Sequence, residues 1–172
     1  KQVTSKKPKR AEKKSTASSA SKSKPKRAPD WIAKGKQFEK SGKLDQAAEA
    51  YSKAIKENSS NGEAYLNLGV VQDMLGNQDE ALESFRSVVK LHPNAAGAWY
   101  NLGRTQAALG QADEAVQSFS RAVKINPEYA EAHLGLGLMY DQMEQGKKAI
   151  SHTLGASKLF KAASREEMAQ MA

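Results

Sequence analysis

Side-chain chemistry needs partners at fixed spacing, and the three histidines of this chain lack them. His92 precedes Pro93 and closes a helical pattern, His133 falls at an apolar stacking position, and His152 stands alone in a later segment. None has the i, i+4 companion that sets two imidazoles on one helix face around a metal. With no cysteine there is no thiol nucleophile, zinc thiolate or disulfide. The glycines recur at helix-packing and turn positions and form no phosphate-cradling loop. No catalytic residue, no metal and no cofactor are therefore expected, and the chain reads as non-enzymatic. The polar residues that do recur are Asn67 and Asn101, 34 residues apart. A carboxamide donates to one backbone carbonyl and accepts from one backbone N–H, so stacked asparagines can hold an extended peptide whatever its side chains. Arg104 could pair with a ligand carboxylate, but one arginine is not a clamp.

A second kind of chemistry is electrostatic, and it is confined to one end. Residues 1–30 hold 11 Lys/Arg against Glu12 and Asp30, a net +9, while the remainder holds 16 against 17, a net −1. Two clusters, Lys6-Lys7-Pro8-Lys9-Arg10 and Lys24-Pro25-Lys26-Arg27, carry most of that charge. They suit an import receptor, the phosphates of nucleic acid, or an acidic membrane. Val3 is the only large apolar residue before Trp31, so residues 1–29 cannot bury enough surface to offset their ordering entropy and are expected to be a disordered basic tail. The tail holds no aromatic residue on which bases could stack. A plain solubilising tether is the simplest alternative.

The elements that must position the asparagines repeat with the same period. In the third unit Trp99, Leu102 and Gly103 open an apolar helical face, Gly110 breaks it, Ala115, Phe119 and Ala122 make a second face, and Pro127 ends it. Thirty-four residues earlier stand Tyr65, Leu68, Gly69, Gly76, Ala81, Phe85 and Pro93. Helix A, a tight turn and an antiparallel helix B make one unit. This pattern resembles the tetratricopeptide repeat (TPR). The resemblance implies an all-α solenoid, a right-handed superhelix of helical hairpins, over residues 30–163, with repeats at about 28–61, 62–95, 96–129 and 130–163.

The spacing assigns jobs within each unit. Asp30 should cap the first helix A. Gly69 and Gly103 are small where two helices approach, with Ala81 and Ala115 facing them. The first repeat departs from the pattern at Lys34 and Ser59. The fourth puts His133 in place of Trp99 and Thr153 in place of Phe119, and its turn glycine is displaced, with Glu144 at the expected position and Gly146 two residues on. Ser164 followed by Glu167 fits a capping box, so a partial capping helix is expected over 164–172.

In the tetratricopeptide family the A helices line the concave surface, which places Leu66, Asn67, Val70, Met74, Tyr100, Asn101, Arg104, Leu134 and Leu138 in a binding groove. The apolar members of this set are not needed for the seam between helices A and B, and an apolar patch held out of the core marks an interface. Asn67 and Asn101 are similar to two rungs of the asparagine ladder in O-linked N-acetylglucosamine transferase, with Ala33 and Gly135 in the neighbouring positions. The carboxylate clamp of heat-shock co-chaperones would need Ile32, Lys36, Asn67, Gly97 and Asn101 to match, and only Asn67 does. The expected function is an adaptor or scaffold that binds an extended segment or helix of another protein. The competing expectation is an anion-directed protein whose tail grips nucleic acid or acidic membrane, with the repeats as an assembly platform. Self-association through the end of the fourth repeat is a third.

The whole-chain numbers agree with this class. Hydrophobic residues make up 39% and charged ones 27%, which fits a helical protein with a continuous core. No apolar run is long enough to span a bilayer. The chain starts at Lys1, which fits a processed product or an excised segment. The sequence fixes no compartment: cytoplasmic is the default expectation, nuclear or membrane-tethered the alternatives.

Overall fold

The computed structural model describes residues 30–170, with side chains through residue 166. The tail cations Lys6, Lys7, Lys9, Arg10, Lys24, Lys26 and Arg27, and the expected disorder of that tail, lie outside these residues. The described chain is helical hairpins throughout: α1 (Trp31–Lys40), α2 (Leu44–Glu57), α3 (Gly62–Met74), α4 (Gln78–Leu91), α5 (Ala96–Ala108), α6 (Ala112–Ile125), α7 (Ala130–Gln142) and α8 (Gly146–Gln170). Apolar residues at three- and four-residue spacing give α2, α4 and α6 a buried stripe, for example Ala47, Ala50, Tyr51 and Ala54 on α2 and Ala115, Phe119 and Ala122 on α6. Side-chain caps start two of the odd helices. Asp30 Oδ1 accepts from the Ala33 N–H and Asn61 Oδ1 from the Ala64 N–H, each at 3.0 Å. Such a cap contributes about 1 kcal/mol.

The core is built between repeats as much as within them. Tyr51 packs with Leu68 and Val71 of the next repeat, Phe85 with Ala98 and Leu102, and Phe119 with Leu136. The glycine of each of the first three helices A lets that ring approach. A Cβ on Gly69 would stand 2.8 Å from the Phe85 ring, and one on Gly103 would stand 2.9 Å from Phe119. The ring, more than the alanine beside it, is what these glycines accommodate.

Consecutive helices pack pairwise, and α5 also touches α3 and α7. Among the described residues no two even helices come into comparable contact. The odd helices are therefore the inner, crowded layer and the even helices the outer one, so the stack curves around the odd-helix side. No helix among the described residues is long and apolar enough to cross a membrane.

Two local expectations are corrected. The fourth turn keeps its position: Glu144 itself takes the left-handed conformation at φ 58°, where Gly110 has φ 73° and Gly76 φ 82°. Gly146 plays no part in that turn and is the first residue of α8. Nor does a helix start at Ser164. The three preceding even helices each end two residues before Ser59, Pro93 and Pro127, whereas α8 runs unbroken through Lys161, the equivalent position, and Ser164 lies inside it. Lysine there keeps its N–H and carries no ring to clash, so nothing stops the helix.

Candidate functional site

The inner layer carries the nine expected groove residues, on α3, α5 and α7, and they divide into two groups. Leu66 and Val70 are partly buried against the Phe85 and Leu102 cluster, and Tyr100 is partly buried against the Phe119 and Leu136 cluster. The expectation that these three are free of core duty is corrected. The next helix A closes over the one before and recruits them. Tyr100 sits between two rings, with centroids 5.9 Å from Phe119 and 5.1 Å from Tyr129. Met74, Leu134 and Leu138 are exposed.

The polar members also have neighbours that spacing could not reveal. Arg104 Nη2 meets Asp73 Oδ2 at 2.5 Å across the α3–α5 junction. Asp73 is only 17% exposed and Arg104 48%, so the pair is anchored at its acidic end. A ligand carboxylate would have to compete with Asp73 for that guanidinium. One repeat earlier, Lys36 Nζ bonds Glu63 Oε1 at 2.7 Å, and this raises the lysine pKa, the hydrogen bond contributing most and the Glu63 charge next. Asn67 is half-buried, and its Nδ2 is closed off from the surface with no hydrogen-bond partner among the protein groups. Asn101 is half-buried as well. Gly135 takes the next rung position, and a Cβ there would lie 2.8 Å from the Phe119 ring, so a third asparagine would displace that ring.

The open part of the inner layer is between α5 and α7. A hollow of about 290 Å³ is bordered there by Tyr100, Arg104, Ala107, Leu134, Leu138 and Met139, with the Phe119 ring also lining it and Glu131 at its edge. An apolar lining with a few charged residues at its edge suits one apolar side chain on a polar backbone.

The seam between the inner and outer layers holds a group that sequence reasoning missed. Positions 72 and 84, and again 106 and 118, form a repeated hydrogen bond, Ser84 Oγ to Gln72 Oε1 and Ser118 Oγ to Gln106 Oε1, both 2.6 Å. In the fourth repeat Tyr140 and His152 occupy these positions and stack, with centroids 5.6 Å apart and planes at 25°. His133 Nδ1 lies 3.1 Å from His152 Nδ1. The tautomers follow from a third contact. His133 Nε2 lies 3.1 Å from the Pro127 carbonyl, the same bond that Trp99 Nε1 donates to the Pro93 carbonyl at 2.9 Å. His133 Nε2 therefore carries the proton, its Nδ1 accepts, and His152 Nδ1–H donates to it. Burial, and then the His133 charge, lower the His152 pKa. The signal was available at the 34-residue period, which aligns His152 with Ser118, but a search for i, i+4 pairs cannot see residues 19 apart on antiparallel helices. Among the described residues no three His, Asp or Glu side chains converge as metal ligands.

Comparison with known proteins agrees with this architecture. No curated protein matches the sequence. Among solved structures, a crystal structure of MamA superposes with a TM-score of 0.75 at 22% identity, covering 78% of this chain and 79% of that one. MamA from Desulfovibrio magneticus RS-1 gives 0.72 at 23% identity over 77% and 75%. MamA AMB-1 gives 0.70 at 24% identity over 76% and 72%. At these identities the likeness is one of fold, a stack of helical hairpins. The family model for the tetratricopeptide repeat matches three overlapping stretches, residues 32–96, 75–130 and 100–150. Repeat period, helix order and interlocked rings all coincide with that match, and the chain belongs to the tetratricopeptide repeat family.

Proposed function

We propose that this protein is a non-enzymatic adaptor that holds an extended segment of another protein along its inner layer, with the hollow between α5 and α7 as the anchor point. Superhelical repeat proteins offer an extended concave surface for this purpose. The observation that carries the reading is the hollow itself: an apolar cleft on the one inner junction among the described residues that no ion pair crosses, whereas Lys36–Glu63 and Asp73–Arg104 span the two junctions before it. An aliphatic side chain of the partner fits there, with Glu131 favouring a basic residue beside it. Asn67 and Asn101 then serve the partner's backbone through their carboxamides. Leu66, Val70 and Met74 line the path toward the first repeats.

The competing reading gives the work to the basic tail, on the strength of its net +9. The two differ in salt response, because displacement of counterions makes tail binding to a polyanion fall steeply with salt. Captures at low and high salt with the intact chain, a deletion of residues 1–29, and the Asn67→Ala, Asn101→Ala double variant separate them. Partners retained after tail deletion and at high salt, and lost with the double variant, are the expected result. Capture that depends wholly on the tail would remove the groove reading.

A further inference from the structure

The repeat period exposes a mismatch between two inner junctions. Where α1 meets α3, Lys36 Nζ bonds Glu63 Oε1 at 2.7 Å. Two periods on, the same positions hold Arg104 on α5 and Glu131 on α7, again a cation and a carboxylate. Both border the α5–α7 hollow, yet among the described residues Glu131 forms no ion pair. Arg104 turns back instead to Asp73 of α3. The two carboxylates explain that choice. Asp73 is largely covered whereas Glu131 is exposed, so water and salt screen the Asp73 pair less than they would a pair at Glu131.

The Asp73–Arg104 pair is confined to its own junction. One period on stand Ala107 and Leu138, uncharged residues that belong to the apolar lining of the hollow. The hollow therefore has an apolar wall where the α3–α5 junction has an ion pair, and an open carboxylate where the α1–α3 junction has one. The charges around Glu131 add to its demand for a cation. Glu128 and Glu166 line the cleft beside it, and that lining holds no Lys or Arg. Arg104 is the basic side chain bordering the hollow, and Asp73 holds it. Lys161 of α8 borders an adjoining hollow that shares Leu134. Asp73 thus acts from outside the hollow: by keeping Arg104 it leaves Glu131 open.

We propose that Glu131 determines specificity at this site by taking a lysine or arginine of the bound segment, beside the aliphatic residue in the hollow, as Glu63 takes Lys36. Asp73 is then a positioning residue that keeps Arg104 off Glu131. The inference rests on the reading of the α5–α7 hollow as the anchor point for a segment of another protein. Peptides are selected from one random display library against the full wild-type chain and against Glu131→Lys, a change at an exposed site. The wild-type pool enriches Lys or Arg next to an aliphatic residue, and the Glu131→Lys pool enriches Asp or Glu there. In calorimetric titration a peptide from the wild-type pool binds Glu131→Lys about tenfold more weakly, and recovers when its basic residue is changed to Glu. Asp73→Asn weakens that peptide about two- to fivefold because the freed Arg104 competes for Glu131, and adding Arg104→Gln restores it. Deleting residues 1–29 leaves the affinity unchanged. Pools with the same charges from both chains, or a double variant no better than Asp73→Asn alone, overturn the inference. If Leu138→Glu still abolishes binding in that case, the hollow stands as the anchor point without this charge rule; if Leu138→Glu has no effect either, both readings fall. Tighter binding after the deletion makes the chain's own tail the occupant and overturns the assignment to a partner.

Discussion

Single residues in the fourth repeat carry strain or titratable groups that the second and third repeats lack at the same positions. Glu144 takes a left-handed φ where Gly76 and Gly110 stand before it. An L-residue there costs about 1–2 kcal/mol, partly offset because glycine loses more backbone entropy on folding, so Glu144→Gly should stabilise the protein by about 0.5–1 kcal/mol in chemical denaturation. His152 has its pKa lowered, by burial first and by His133 second. It stays neutral in the folded chain at pH values where the unfolded chain is already taking up the proton. Its contribution to stability is therefore whole above the unfolded pKa, about 6.5, and is lost as pH falls from there through the folded value. Hydrogen exchange at pH 7.5 and pH 5 should show α7 and α8 losing protection relative to α3 and α4. Replacing the pair with Tyr140→Gln and His152→Ser, the residues of the second and third repeats, should flatten that difference. Neither property was legible from residue types alone: a displaced glycine and a lone histidine look unremarkable until backbone angle and antiparallel packing bring in the third dimension.

At the level of helices and hairpins the sequence was far more readable. Period, turn glycines and rings are local signals, and they pointed to an all-α stack of hairpins because each repeat uses the same nearest-neighbour contacts. The glycine–ring seam gives the direct test. Gly103→Val puts a branched side chain where even a Cβ stands 2.9 Å from the Phe119 ring, and it should cost about 1–3 kcal/mol, read as a lower denaturation midpoint. The eighth helix escaped for a reason that is clear in hindsight. Ser164 and Glu167 form a start signal, but a start signal acts only where the chain has stopped, and Lys161 provides no stop. Lys161→Pro restores the residue of the two middle repeats and should end α8 near Leu159. The helical circular dichroism signal should fall while the melting midpoint stays nearly unchanged, because residues 161–166 are exposed and contribute little packing.

The whole molecule is a stack of hairpins with an inner layer of odd helices. The resemblance to the tetratricopeptide family pointed to the A helices as that layer, and the 34-residue period carried the groove positions from repeat to repeat. Neither could say how much of each groove side chain the neighbouring repeat consumes, which is why Leu66, Val70 and Tyr100 turn out to be shared with the core and Arg104 engaged by Asp73. What stays open is the α5–α7 hollow with Asn67 and Asn101 upstream of it. The most direct test is calorimetric titration of the chain lacking residues 1–29 with an extended peptide selected against it from a random display library. Leu138→Glu, the Asn67→Ala, Asn101→Ala double variant, and the control Ile150→Lys with Leu154→Lys, on the exposed face of α8, complete the set. Losing one side-chain-to-backbone hydrogen bond at each asparagine, at about 1 kcal/mol apiece, should weaken the peptide at least about tenfold. Leu138→Glu should weaken it similarly, and the α8 control should leave it unchanged. Peptides that bind all variants equally, or only the exposed face of α8, would contradict the assignment of the inner layer as the working surface.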